Sequence, residues 1–210
     1  MSESAELRAA LVETAARLDA AGYSPGTSGN ISVRHGDTII VSPTGARLGA
    51  LDPDALSIVD LDGRHLEGPK PTKESLFHAA VYRARPEDRA VVHLHSPYAS
   101  ALSCLDGLDP ENALPAYTPY FIMRVGDLPV VPYFPPGDEG LAAAIGTVAQ
   151  AHRSMMLSNH GSLVSGRSLD AAASAAEEIE ETARLHFVIG DRAAKLLSAD
   201  QVAELRRRYP

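Results

Sequence analysis

Two histidines separated by one residue are the first side chains in this 210-residue sequence whose spacing suggests chemistry. His93 and His95 belong to the run AVVHLH, which is typical of a β-strand. Side chains alternate along a strand, so both imidazoles would project from one face, with Cα atoms about 6–7 Å apart. Imidazoles at that spacing can bind one metal ion at about 2.0–2.1 Å each. The pair is also compatible with two polar residues that share a strand face.

A third histidine and a carboxylate add to this candidate site. His160 lies in SNHGSLV, where a tight turn between two strands would expose it at a sheet end. An ordinary turn histidine is the alternative. Glu74 lies in KPTKES, at the start of a predicted helix. It could act as a general acid or base beside a metal, or it could stabilise the helix dipole by about 0.3–1 kcal/mol.

Two short turns have the composition of anion-binding loops. PGTSGN (25–30) and SPTG (42–45) are rich in Gly, Ser and Thr. Exposed N–H groups and hydroxyls in such turns can bind phosphate, although plain turn chemistry explains the same residues. Thr72 and Lys73 add a hydroxyl and an ammonium just before Glu74.

The elements that must position these residues alternate between helices and strands. Apolar periodicity and capping residues predict helices over 4–21, 72–84, 138–152, 168–189 and from Ser198 onward. Alternating β-branched runs predict strands at 30–34, 37–42, 57–61, 90–95, 155–159 and 162–166, with a short or edge strand at 128–133. The hairpins predict an α/β fold with a largely antiparallel or mixed sheet. No G-x-G-x-x-G motif follows a first strand, which disfavours a doubly wound dinucleotide fold.

The bulk composition narrows the class of protein. A length of 210 residues with 45% hydrophobic residues indicates one domain, 1–210. The net charge of −8 disfavours nucleic acid and anionic membranes as partners. Neither a signal peptide nor a membrane-spanning run is evident, which predicts a cytoplasmic protein. The one cysteine, Cys104, excludes an internal disulfide, and its apolar neighbours predict a buried thiol.

Five of these segments together resemble the class II aldolase/adducin family. GTSGNISVR, SPTG, PTKE, VVHLH and NHG occur in the family's order and span essentially the whole chain. The resemblance implies a three-layer α/β/α sandwich around a mostly antiparallel or mixed sheet. It also implies a homotetramer with active sites between subunits.

The resemblance also implies specific site residues. A Zn²⁺ ion, or another divalent ion such as Mn²⁺ or Co²⁺, would bind His93, His95, His160 and Glu74, with Glu74 as acid/base. The substrate phosphate would bind Thr27, Asn30, Thr44, Gly45 and Thr72. Lys73 is a further candidate for the phosphate or for an additional carboxylate of the substrate, and a solvated lysine is the alternative. Tyr120, in TPYF, resembles in position a family tyrosine that donates a proton across the subunit boundary, and Tyr117 and Tyr209 are alternatives. Arg124 could serve phosphate binding or subunit contacts.

Within the family the chain departs from the sugar-phosphate aldolases. Where they often have Ser-Ser-Glu, it has Thr72, Lys73 and Glu74. The segments ALSCLDGLDPEN and EEIEETARLHFVIGD are similar to the branch that decarboxylates 3-oxo-tetronate 4-phosphate to dihydroxyacetone phosphate and CO2. That activity, a metal-dependent lyase acting on a small phosphorylated acid sugar, is the predicted function. An aldolase cleaving a ketose 1-phosphate such as fuculose 1-phosphate is the alternative, and a non-enzymatic adducin-like scaffold is a remote one.

Overall fold

An eight-stranded sheet lies between two layers of helices in the computed structural model, which describes residues 2–135 and 138–209. The strands are β1 (Asn30–His35), β2 (Thr38–Val41), β3 (Ser57–Asp60), β4 (His65–Glu67), β5 (Ala90–Leu94), β6 (Val130–Val131), β7 (Ser154–Leu157) and β8 (Gly161–Gly166). Their order is β4-β3-β2-β1-β5-β8-β7-β6. Only the β6–β7 pairing within these residues is parallel, which confirms a mostly antiparallel, mixed sheet.

The helices cover both faces of this sheet. They are α1 (Glu3–Ala20), α2 (Ser75–Ala84), α3 (Pro97–Ser103), α4 (Pro119–Arg124), α5 (Glu139–Ala149), α6 (Leu169–Ile189) and α7 (Ala199–Arg208), with short 3-10 helices at Leu48–Ala50 and Pro53–Ala55. α1, α3, α4 and α6 pack on one face, and α2 and α5 pack on the other. The three-layer α/β/α sandwich is therefore confirmed.

Side-chain alternation along the central strands separates the two cores. In β5, Val92 and Leu94 face the α1/α6 layer, whereas Val91 faces α2 and α5. In β2, Ile40 faces the α1/α6 layer and Ile39 faces α2 and α5. All five side chains are at most 1% exposed, as expected for strands buried on both faces. His93 lies two residues after Val91 on the same strand, so its side chain must also point toward the α2/α5 layer.

Helix starts agree with the capping residues that the sequence offers. The Ser168 side chain accepts a hydrogen bond from the Ala171 N–H at the start of α6. Asp138 caps α5 in the same way through Gly140. At α7, Ser198 and Gln201 form the predicted capping box. The predicted strands and long helices are all present, with ends that differ by a few residues.

Besides the two 3-10 helices, three short elements were not predicted from the sequence. α3 and α4 lie between the predicted strands at 90–95 and 128–133. Pro97 and Pro119 each occupy the first turn of their helix, where a missing N–H costs nothing. β4 is a three-residue edge strand of exposed residues. The prediction of a buried Cys104 thiol is wrong, since this residue ends α3 with its side chain exposed.

No helix within residues 2–135 and 138–209 has both the length and the apolar character needed to cross a bilayer.

Candidate metal centre

Strand β5 delivers the first two histidines of the site. His93 is fully buried and pairs across the sheet with Asn30 on one side and Leu163 on the other. His95 follows one residue after the strand ends and is partly buried. The two rings still point the same way, with centroids 4.8 Å apart. The strand alternation that the sequence suggested therefore holds through the strand end.

A strained turn delivers the third histidine. His160 follows Asn159, whose φ of +55° is tolerated better by asparagine than by most residues. The backbone N–H groups of Asn159 and His160 donate to the carbonyl and hydroxyl of Ser103 on α3. Gly161 then approaches β5 so closely that a Cβ atom would lie 2.2 Å from the Leu94 carbonyl oxygen. Glycine at this position lets β8 carry His160 to the end of β5.

The three imidazoles converge on one point. Their potential ligand nitrogens all lie within 4.8 Å of one another, and the rings are nearly perpendicular, at 73° to 89°. The His93 Nδ1–H donates to the Ser162 carbonyl oxygen at 2.9 Å, which leaves its Nε2 lone pair free. A ligand histidine usually donates its other ring N–H in this way. The donor set and its orientation fit a divalent ion.

Glu74 supplies an anionic group to the same point. It is the N-cap residue of α2, but its side chain makes no capping hydrogen bond. Its carboxylate oxygens instead lie 3.2 Å from His160 Nε2 and 3.4 Å from His93 Nε2, and it accepts a 2.6 Å hydrogen bond from Asn30 Nδ2. The sequence left two roles open for Glu74. This geometry favours a role at the histidine cluster over stabilisation of the helix dipole.

Burial and charge set the protonation states of this cluster. Burial lowers the pKa of His93 to about 3, so its ring is neutral and able to bind a metal near pH 7. Burial also lowers the pKa of His95. Burial alone would raise the pKa of Glu74, but His93 and the hydrogen bonds from His160 and Asn30 outweigh it and hold that pKa well below its usual range. Neutral imidazoles around an ionised carboxylate are the states that metal binding requires.

A cleft of about 330 Å³ opens over this cluster. The residues predicted for phosphate line it together with part of the metal cluster: Thr27, Asn30, Thr44, Gly45, Thr72, Lys73, Glu74, His95 and His160. The backbone joins its two rims, because the Thr44 N–H donates to the Lys70 carbonyl and the Thr72 N–H donates to the Ser42 carbonyl. The turns at 25–30 and 42–45 and the start of α2 are thus brought to one place.

A larger cleft, of about 540 Å³, lies elsewhere and lacks this chemistry. It is lined by the end of α6, the segment after it and Tyr117, with Arg192 and Lys195 as its charged residues. None of the histidines described above borders it. Size alone would select this cleft, but the convergence of titratable groups selects the smaller one.

Tyr120 and its alternatives do not line the smaller cleft of the described chain. Tyr120 is exposed on α4 and lies under the guanidinium of Arg124, which also pairs with Glu178. The Tyr117 hydroxyl is 2.9 Å from His186 Nδ1, and Tyr209 is exposed near the C-terminus. Because Tyr120 was expected to act across a subunit boundary, its role stays a prediction.

Sequence reasoning missed the partners of Asn30. Its side chain was assigned to phosphate, but it is 5% exposed and bonds both Glu74 and His78. A signal for this existed, since Glu74, His78 and Tyr82 are spaced four residues apart, which places them on one face of α2.

The fold and the site define the class of protein. Residues 9–187 match the family model described as the Class II Aldolase and Adducin N-terminal domain, so the chain belongs to the class II aldolase and adducin family. A 3-oxo-tetronate 4-phosphate decarboxylase from Pectobacterium atrosepticum is 47% identical over 206 residues, covering 98% of this chain and 94% of that protein.

Two further relatives mark out its place in the family. The crystal structure of YgbL from Escherichia coli, described as an aldolase/epimerase/decarboxylase, matches with a TM-score of 0.95 at 45% identity and covers 98% of this chain and 100% of that one. An L-fuculose phosphate aldolase from Haemophilus influenzae is less similar, at 35% identity over 84% of this chain and 80% of that protein. The predicted resemblance is confirmed.

The geometry predicts that removing one imidazole abolishes metal binding. After zinc loading and dialysis, we expect the wild-type protein to retain about one zinc ion per chain and His93→Ala and His160→Ala to retain almost none. His65→Ala is the matched control, because His65 is exposed on β4 and outside the cluster. Elemental analysis measures the zinc content. Equal zinc in the wild type and in both cluster variants would show that the ion binds elsewhere.

Proposed function

We propose that this protein is a metal-dependent lyase that decarboxylates 3-oxo-tetronate 4-phosphate to dihydroxyacetone phosphate and CO2. The observation that carries the proposal is the convergence of three imidazoles and Glu74 under a cleft rimmed by phosphate-type turns. The relatives that are 40–47% identical and bear this activity's name support it over the other reactions of the family.

The proposed metal ligands are His93, His95, His160 and Glu74. Three nitrogens and one oxygen suit Zn²⁺, and Mn²⁺ and Co²⁺ are compatible with the same donors. Such a divalent cation supplies Lewis-acid stabilisation for the negative charge that develops on the substrate's ketone oxygen as CO2 leaves. Because the Ser162 carbonyl accepts from Nδ1–H of His93, the Nε2 atom of that ring would be the one to hold the ion.

Glu74 is the proposed proton donor. Loss of CO2 breaks the bond between the carboxyl carbon and C2, and its electron pair forms the enediolate. One proton must then reach C2 to give dihydroxyacetone phosphate. In the structure Glu74 is ionised and engaged with His93 and His160, so we infer that substrate displaces it. Away from these partners, burial favours the protonated acid, so Glu74 takes up one proton from water in the cleft and passes it to C2.

The phosphate and the second anionic group of the substrate are assigned to the rim. Thr27, Thr44, Gly45 and Thr72 offer hydroxyl or backbone donors to phosphate, whereas the Asn30 amide is engaged with Glu74 and His78. Lys73 lies on the same rim and is exposed. Its ammonium can offset the charge of the phosphate or of the substrate carboxylate. Only the second of these needs is absent for a ketose 1-phosphate, which has no carboxylate.

Cell location, assembly and domain organisation belong to the same proposal. We expect a cytoplasmic enzyme of one domain, 1–210, assembled as a homotetramer in which Tyr120 approaches a neighbouring subunit's cleft. Its net charge of −8 gives it no general attraction for nucleic acid or anionic membranes.

A two-substrate assay tests the reaction. With zinc-loaded protein, 3-oxo-tetronate 4-phosphate should yield equal amounts of CO2 and dihydroxyacetone phosphate, while fuculose 1-phosphate should be cleaved at least about a hundred-fold more slowly by kcat/KM. Coupled enzymatic detection of dihydroxyacetone phosphate measures both reactions. Rapid cleavage of fuculose 1-phosphate without decarboxylation would instead support the aldolase. No turnover of either substrate, with no bound metal, would support the scaffold.

Replacing the proton donor separates chemistry from metal binding. In Glu74→Gln the three histidines remain, so we expect zinc content to stay near that of the wild type. The amide cannot donate a proton as an acid, so kcat should fall by about a hundred-fold or more. Steady-state kinetics and elemental analysis of the same preparation check both statements. Normal turnover in this variant would remove Glu74 from the proton-transfer step.

Replacing the rim lysine tests recognition of the acid substrate. Lys73→Ser removes one charge-assisted contact, and we expect KM for 3-oxo-tetronate 4-phosphate to rise about ten-fold with a smaller change in kcat. Lys195→Ser is the matched control, because Lys195 is exposed beside the larger cleft. If KM is the same in both variants and the wild type, Lys73 is an ordinary solvated lysine.

A further inference from the structure

A file of buried polar side chains leads from the α2/α5 core to Glu74. Strand β1 contributes Asn30 and Ser32, which are two residues apart and share one face. Helix α2 contributes His78 and Tyr82, spaced four and eight residues after Glu74. These four side chains are at most 5% exposed, so their polar atoms depend on one another for hydrogen bonds.

Each neighbouring pair in this file is within hydrogen-bond distance. The Tyr82 hydroxyl lies 2.9 Å from Ser32 Oγ and 3.1 Å from the Ser32 carbonyl oxygen, so its single hydrogen has two acceptors on Ser32. Ser32 Oγ is 2.8 Å from His78 Nδ1, and His78 Nε2 is 2.5 Å from Asn30 Oδ1. Asn30 Nδ2 then reaches Glu74 Oε2 at 2.6 Å.

The hydrogen bond between Asn30 and Glu74 fixes the direction of the hydrogen bonds between Asn30 and His78 and between His78 and Ser32. An ionised Glu74 only accepts, so Asn30 must present its NH2 group to it and its Oδ1 to His78. Oδ1 only accepts, so His78 Nε2 must carry a hydrogen. Burial lowers the pKa of His78 to about 4, which keeps the ring neutral near pH 7 and leaves Nδ1 to accept from the Ser32 hydroxyl.

We propose that His78 is a positioning residue for Glu74, acting through Asn30. By holding Oδ1, the Nε2–H of His78 prevents the Asn30 amide from flipping, and a flipped amide would present an oxygen to the carboxylate. The Asn30 NH2 group thereby fixes the carboxylate between His93 and His160. The inference rests on the proposed function only in taking Glu74 as the acid/base, since the hydrogen-bond file is independent of the substrate.

A purely structural role is the competing explanation, because buried polar networks also stabilise folds. The two roles make different demands on the His78 ring. A structural role needs only that the hydrogen bonds of the His78 ring be satisfied. The Nε2–H tautomer does this with Asn30 in its observed orientation, and the Nδ1–H tautomer would do it with a flipped Asn30 amide. Positioning of Glu74 requires the Nε2–H tautomer. It also requires that removing this N–H lower kcat by more than a core substitution that only destabilises the fold.

The first arm of the test reads the tautomer without using activity. Zinc-loaded protein with ¹⁵N-labelled histidine rings is examined near pH 7 by long-range ¹H–¹⁵N NMR, and the His78 signals are assigned by their loss in His78→Gln. We expect Nε2 protonated and Nδ1 unprotonated. A ring protonated at Nδ1, alone or as the imidazolium, would overturn the proposal.

The second arm compares kinetics among matched variants. His78→Phe keeps a flat ring but removes the donor, and we expect kcat to fall about ten- to hundred-fold while KM changes little. His78→Gln keeps an amide N–H near the Nε2 position and should restore much of kcat. Val81→Ala is the control, because Val81 is buried on the same helix but outside the file. Thermal unfolding ranks the stability of the three variants.

The outcomes separate this inference from the proposed function. A kcat for His78→Phe no lower than that of Val81→Ala would make His78 merely structural. If His78→Phe does not fold, Ser32→Ala replaces it, since losing the donor to Nδ1 should relax the tautomer preference and lower kcat. If the wild-type protein itself fails to decarboxylate 3-oxo-tetronate 4-phosphate, the proposed function fails, and the same kcat comparison with fuculose 1-phosphate, the alternative substrate, decides the positioning inference. A ring protonated at Nδ1 overturns that inference in either case.

Discussion

The antiparallel pairing of β1 with β5 is the constraint on which the site depends. It sets Asn30 opposite His93, so that an amide donor and a ligand imidazole start from adjacent positions in the sheet. Gly29 permits this register, since a Cβ atom there would lie 2.9 Å from the His93 carbonyl oxygen, and its φ is +72°. Helix α2 lies over Asn30 and His93 and places the Glu74 carboxylate beside both side chains. A shift of one residue would turn His93 into the opposite core.

Local patterns predicted the long elements and made His93, His95, His160 and Glu74 candidate site residues. Alternation in AVVHLH placed His93 and His95 on one face, and the turn residues around His160 placed it at a sheet end. The short helices α3 and α4 escaped prediction because six or seven residues give too little periodicity and each begins with proline. That His160 meets the other two histidines follows from the β5–β8 pairing, a long-range contact that only the family resemblance implied.

The second layer of the site was missed for a different physical reason. His78 and Tyr82 are polar residues in a helix that packs on a core. A single sequence does not show whether both ring nitrogens of such a histidine have hydrogen-bond partners. Their burial imposes the distinction, because an unpaired polar atom there would cost about 1–3 kcal/mol. Complete pairing at Asn30 thus links the stability of the α2/α5 core to the orientation of Glu74.

The charge of the protein explains why recognition must be local. At −8, the chain as a whole repels a phosphorylated acid, so the cleft has to overcome that field at short range. In the part of the chain that the structure describes, Lys73 is the one lysine or arginine that lines this cleft. Hydroxyls at Thr27, Thr44 and Thr72 can bind a phosphate without adding charge. We propose Lys73 for whatever second anionic group the substrate carries. Aldol cleavage and decarboxylation both place negative charge on a ketone oxygen, so the histidine cluster alone does not distinguish the two reactions. The distinction must lie in the residues that contact the departing group, and a departing carboxylate calls for a cationic contact such as Lys73.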